Sequence, residues 1–124
     1  MEEKEIKVIH PTDVEPVIGE VGWKVIPSVS RLYANSDRIW LAWVYFDPKG
    51  SHDWHTHKEH DEAFFVVSGE IDFYYKQNGQ IVKETLKDGD AAFVPMGLEH
   101  KWQNGGKPLK GIVAKSPAPP GAGV

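Results

Sequence analysis

An all-β fold is the class this sequence predicts, and three observations carry it. Short segments rich in Val, Ile, Phe, Tyr and Trp recur between turn signals. No window keeps apolar residues at helical spacing for three turns. Asn78-Gly79 stands between two of the segments, a pair suited to a two-residue hairpin because both positions accept positive φ.

The elements follow in order. Residues 10–36 carry the weakest pattern, with WKVIPSVSRLYA (23–34) supplying one or two strands. IWLAWVYFD (39–47) is the next strand and ends at the turn DPKG. EAFFVVSG (62–69) leads through Gly69 into EIDFYYK (70–76), and the NG turn joins that strand to QIVKETL (80–86). After DGD come AAFVP (91–95) and HKWQN (100–104), and LKGIVAK (109–115) closes the set. About eight short strands at this spacing predict a sandwich or a small closed barrel. The domain is expected to span residues 1–115, with the Pro/Gly-rich stretch 116–124 as a tail or an extended arm over the body.

A chain of 124 residues buries roughly two thirds of its unfolded surface as one domain. It contains no cysteine, so disulfides, thiolate metal sites and cysteine nucleophiles are excluded, and any metal must use nitrogen and oxygen ligands. The net charge of −4, with lysines scattered along the chain, forms no basic stripe, and no nucleic-acid partner is expected. IWLAWVYF is too short to cross a membrane and the opening MEEKEIKVIH is charged, so the reading is a soluble, cytoplasmic protein without a membrane partner.

Chemistry concentrates in HDWHTH (52–57), which holds three of the six histidines. Residues i and i+2 of a strand lie on one face about 6.6 Å apart, so His55 and His57 can converge on one ion at about 2.1 Å. A solvated histidine-rich loop would explain the same stretch. No HExxH occurs; HKEH places His57 and His60 three apart, a pairing that needs a helix not expected here.

The wider spacing is Gly50-x4-His55-x-His57-x4-Glu62-x6-Gly69, followed by Gly89-x5-Pro95-x-Gly97-x2-His100-x3-Asn104. These strings resemble the paired motifs of the cupin superfamily, and the first departs from its usual form by one residue fewer after the leading glycine. The resemblance implies a double-stranded β-helix of the jelly-roll type, a small single-domain cupin barrel. It implies His55, His57, Glu62 and His100 as ligands of one divalent first-row transition metal, with Fe, Mn, Ni, Cu and Zn all compatible with such a set. It implies turn roles for Gly69, Gly89 and Gly97, and a homodimer. A three-histidine zinc site is a competing reading, against which Glu62 stands at the cupin spacing.

Strand parity places Phe64 and Val66 on the face of Glu62, and Trp102 on that of His100, giving an apolar, aromatic lumen. Trp102 is the better candidate to contact a small-molecule substrate, and His52 could hydrogen-bond one. Arg31 and Arg38 lie outside the motifs, so no cluster for sugar phosphates is visible, although a lysine such as Lys101 could turn inward. The expected function is that of a mononuclear non-haem dioxygenase-type oxidoreductase acting on a small organic substrate, with Glu62 both ligand and catalytic proton acceptor. Two alternatives stand beside it. One is a redox-neutral isomerase or lyase, with Tyr45 or Tyr75 as the base if either faces the lumen; the other is a non-enzymatic small-ligand binding protein.

Overall fold

The computed structural model describes residues 4–123; residues 1–3 and 124, the outer ends of the expected domain and tail, lie outside it. Ten strands form two antiparallel sheets among the described residues. They are β1 (Val17–Ile18), β2 (Trp23–Val29), β3 (Trp40–Phe46), β4 (Ser51–His55), β5 (Asp61–Ser68), β6 (Glu70–Gln77), β7 (Gln80–Lys87), β8 (Ala91–Val94), β9 (His100–Asn104) and β10 (Leu109–Ser116). The six-stranded sheet runs β1-β2-β3-β10-β5-β8 and the four-stranded sheet β4-β9-β6-β7. An all-β jelly-roll barrel is therefore the observed class; the strand patterns predict the all-β class and the cupin resemblance implies the jelly roll.

The stretch 23–34 divides unevenly. WKVIPSV forms β2, whereas Arg31–Ala34 is one turn of helix, α1, begun by Ser30, whose Oγ accepts from the Tyr33 N–H. Local capping chemistry decides this, because serine satisfies a free helix N–H that a strand would spend on its neighbour. Between β6 and β7 the hairpin turns on Asn78 and Gly79 with φ of 52° and 75°, and Gln77 pairs with Gln80. Both central residues are left-handed, the geometry that matches strand twist.

The core sits between the sheets. Phe64 and Val66 of β5, Val94 of β8 and Trp40, Ala42, Val44 and Phe46 of β3 face Ile71, Phe73, Leu86 and Trp102 of the other sheet. Trp102 stacks on Phe64 and on Phe73, each with ring centroids 4.3 Å apart. One end of the barrel is shaped by a close approach: a Cβ on Gly50 would collide with the Gly22 carbonyl oxygen. There Asn104, 3 % exposed, donates from Nδ2 to the carbonyls of Asp47 (2.9 Å) and Lys107 (2.7 Å). These bonds fasten the β3–β4 and β9–β10 connections to each other.

Residues 117–123 lie as an arm on the body. Ala118 is buried, its carbonyl accepts from Arg31 Nε, and the Trp40 indole donates to the Ala122 carbonyl at 2.6 Å. No helix among the described residues is long and apolar enough to cross a membrane.

Candidate metal centre

At the opposite end from Asn104, β4, the loop after it and β9 bring the nitrogens of His55, His57 and His100 together, while the Glu62 carboxylate of β5 groups with His57 and His60. His55 ends β4 and pairs with His100, the first residue of β9; Glu62 sits near the start of β5. His57 lies just past β4 rather than on it, a departure from the in-strand spacing. Its carbonyl accepts from the Gly97 N–H at 2.8 Å, so the turn before His100 holds the loop carrying His57. Gly97 makes that turn with φ of 87°.

The ring orientations are set by backbone carbonyls. His55 Nδ1 lies 2.6 Å from the Asp53 carbonyl and His100 Nδ1 lies 2.9 Å from that of Leu98. A carbonyl only accepts, so each Nδ1 carries the proton and each Nε2 presents a lone pair. The buried Nε2 atoms of His57 and His100 have no hydrogen-bond partner among the described residues. His57 Nε2 and Glu62 Oε2 are 2.7 Å apart, close in distance but without hydrogen-bond alignment. Nitrogens of His55, His57 and His100 lie within 4.8 Å of one another. Orphaned, converging lone pairs beside a carboxylate are a cost in an empty protein interior and a fit to a divalent cation.

Electrostatics favour the same use. Burial pushes the pKa of His55 down from 6.5 to about 4, and burial likewise lowers that of His100. For Glu62, burial acts to raise the pKa, but the close contact with His57 and the nearby Lys115 ammonium outweigh it, so the net shift is downward. Neutral imidazoles at His55 and His100 beside an ionised carboxylate are protonation states that suit a metal.

Two further histidines join this group. His52 stacks on His55 with centroids 3.9 Å apart and lies 4.8 Å from Trp23. Its pKa is also lowered to about 4, chiefly by burial. Strict alternation would turn residues 52 and 55 to opposite faces. Instead a bulge intervenes: His52 pairs with Trp102 and His55 with His100, so two residues on β4 oppose one on β9. His60 lies 4.5 Å from His57, ring to ring, and its buried Nε2 has no partner. The two rings meet in a loop, so the helix expected to be necessary for that pairing is not.

A cavity of about 60 Å³ adjoins the cluster, walled by Trp23, Val25, Trp40, Phe64, Trp102 and Val113. Trp102 is 3 % exposed, forming the cavity's inner wall within the aromatic stack. Tyr45 does not face the lumen: β3 buries Trp40, Ala42, Val44 and Phe46, which leaves Tyr45 on the outer face under Lys24. Tyr75 is half-buried and lies with Phe73, Leu86 and Leu98 in a separate groove. Lys101 stays outside, over Trp54 and Tyr74.

The cavity does hold a lysine that the motifs do not contain. Lys115 of β10 lines it, pairs across the ladder with Glu62 and has its pKa lowered by burial, a shift the negative charge of Glu62 opposes. The signal was present in the inward alternation Leu109, Gly111, Val113, Lys115.

Residues 42–114 match the family model described as a cupin domain. Germin-like protein 1 of Brassica napus is 34 % identical over 97 residues, 77 % of this chain and 44 % of the relative. Acireductone dioxygenase of a Hydrogenobaculum species is 27 % identical over 107 residues, 86 % of this chain and 55 % of the relative. The chain thus spans less than half the length of the germin-like relatives. Among solved structures, KdgF from Halomonas superposes with a TM-score of 0.74 at 20 % identity, covering 91 % of this chain and 96 % of that one. Oxalate decarboxylase of Lactobacillus farciminis, in a formate complex, superposes with a TM-score of 0.78 at 24 % identity, over 89 % of this chain and 33 % of that one. At these identities the superpositions speak for the fold.

Proposed function

Because the chain belongs to the cupin family, we propose that it is a metal-dependent enzyme, a dioxygenase-type oxidoreductase acting on a small organic substrate in the barrel. The observation that carries the reading is the convergence of three imidazoles, with two buried and unpartnered Nε2 atoms, beside the ionised Glu62. His55, His57, Glu62 and His100 would hold one divalent first-row metal. That ion would supply Lewis acidity and, where redox-active, electron exchange with substrate and dioxygen.

This chain's own residues do the rest. The Asp53 and Leu98 carbonyls keep the His55 and His100 rings aimed, which limits reorganisation during turnover. Glu62, negative and buried, is the group placed to accept a proton from an acidic substrate carbon or hydroxyl. Phe64, Trp102, Trp23 and Val113 exclude water and favour a flat or apolar substrate body. The acireductone dioxygenase relative supports an oxygen-dependent reaction.

Oxygen uptake dependent on Fe(II) is the expected result across enols, catechols and diketones. Turnover under strict anaerobiosis would refute the oxidative reading and favour the isomerase or lyase, for which His52, neutral and at the cavity wall, is the available base. Saturable ligand binding without turnover under any metal would favour the non-enzymatic binding protein. Elemental analysis beside the double variant His55→Ala, His57→Ala tests the metal assignment, since equal metal content in both proteins would refute it.

The homodimer belongs to the same proposal. The outer face of the six-stranded sheet exposes Leu41 (42 %), Phe65 (43 %) and Phe93 (66 %), with Val67 beside them. A contiguous apolar patch of this kind suits a second copy of the chain.

A further inference from the structure

We propose that Lys115 is the substrate-binding residue that reads an anionic group, so that the substrate is a small carboxylate or enolate of a few heavy atoms. The proposal rests on the metal-centre reading and adds the substrate class to it. Among the residues lining the cavity, Lys115 is the one lysine or arginine; the others are apolar, aromatic, histidine or Glu62. Arg31 is exposed and tied to the Ala118 carbonyl, and Arg38 is exposed, which leaves the cation to Lys115.

Among the described residues the ammonium is held but not neutralised. Lys115 Nζ sits 4.4 Å from the centre of the Trp40 ring and donates to the Gly123 carbonyl at 2.9 Å. An ammonium has three N–H groups, so two remain for a ligand. Lys115 forms no ion pair within 4.0 Å among the described residues. Glu62, its ladder neighbour, turns its carboxylate to His57 instead. A half-buried cation without a carboxylate partner carries a desolvation cost, and an anion arriving from solvent relieves it.

Charge balance sharpens the point. A divalent ion held by three neutral imidazoles and one carboxylate keeps a net positive charge, and Lys115 adds a second one in a cavity of low polarity. An anion that meets both charges is favoured over a neutral compound of the same shape. The cavity, about 60 Å³ in volume, restricts what fits without displacing a wall to a few heavy atoms.

The test uses the full chain loaded with Co(II), whose visible absorption reports ligand exchange at the ion without any turnover. Acetate and its neutral isostere acetamide are titrated into wild type, Lys115→Met and Lys115→Arg. Loss of a charge-assisted contact predicts that Lys115→Met weakens acetate binding roughly 10- to 100-fold. Acetamide binding should change little, and Lys115→Arg should recover most of the acetate affinity. Co(II) bands of normal intensity in Lys115→Met before acetate is added show that the variant is folded and loaded. Equal acetate affinity in wild type and Lys115→Met, or an equal loss for acetamide, overturns the role of Lys115 while leaving the metal centre standing. A wild-type protein that develops no Co(II) bands overturns the metal centre and this inference with it.

Discussion

Removing His100 should abolish most of the stabilisation that a metal confers. His100 is fully buried, its Nδ1 is fixed by the Leu98 carbonyl, and its Nε2 has no partner among the described residues. A ligand that binds only the folded chain stabilises it by about 2.7 kcal/mol at a free concentration 100 times Kd. A chain of 124 residues unfolds with an entropy of about 0.26 kcal/mol/K near the midpoint, from about 2.1 cal/mol/K per residue. The metal should therefore raise the Tm of chelator-treated wild type by about 10 °C. If His100→Ala weakens binding by about 100-fold, the same metal concentration equals its Kd and the gain falls to about 0.4 kcal/mol, under about 2 °C. The assay is differential scanning calorimetry, reading the increment between metal-free and metal-loaded samples. That increment is insensitive to the cavity cost of the substitution, which lowers both midpoints. An equal increment in wild type and His100→Ala would refute the ligand role of His100.

Acid should destabilise the metal-free protein. His52, His55 and His60 have folded-state pKa values of about 4, chiefly because burial penalises the charged ring, against 6.5 in the unfolded chain. Between those values the unfolded chain binds more protons, so their contribution is complete above about 6.5 and is lost as pH falls through about 4. For His55 it amounts to at most about 3 kcal/mol, and to about half that once partial exposure is allowed for. Urea midpoints that stay level from neutral pH to pH ~4.5 would contradict this. Asn104→Ala strips the donor from two loop carbonyls and should cost about 2 kcal/mol, with metal uptake retained because the site lies at the other end of the barrel. Thermal denaturation and elemental analysis read the two parts separately, and an unchanged Tm would dismiss the fastening role. Phe93→Glu places a charge within the proposed dimer face, on its edge strand β8, and should convert a dimer to a monomer by light scattering; a monomeric wild type would remove that assembly from the account.

Much of the fold was legible because its signals are local. Alternation along EAFFVVSG reports which side of β5 is buried, and Asn78-Gly79 specifies its turn through the conformations those two residues accept. The candidate ligands His55, His57, Glu62 and His100 were named through the cupin resemblance, which rests on their spacing to glycines and a proline. The single helical turn at Arg31–Ala34 was missed because one serine cap decides it, within a segment whose hydrophobic pattern is weak.

By itself, the sequence determined the all-β class, the hairpin register and the donor types available to a metal, because these depend on residue chemistry and on neighbours a few positions away. Only the tertiary structure decided which other side chains reach the site. His52 turns inward because the bulge on β4 breaks alternation, and bulges arise from the fit of a strand to its partner. Lys115 reaches the cavity because β10 pairs with β5 in a register that sets it opposite Glu62, with its ammonium held by Trp40 and Gly123. Alternation along β10 turns Lys115 inward, but the register that sets it opposite Glu62 joins residues more than fifty positions apart, and no local pattern states that pairing.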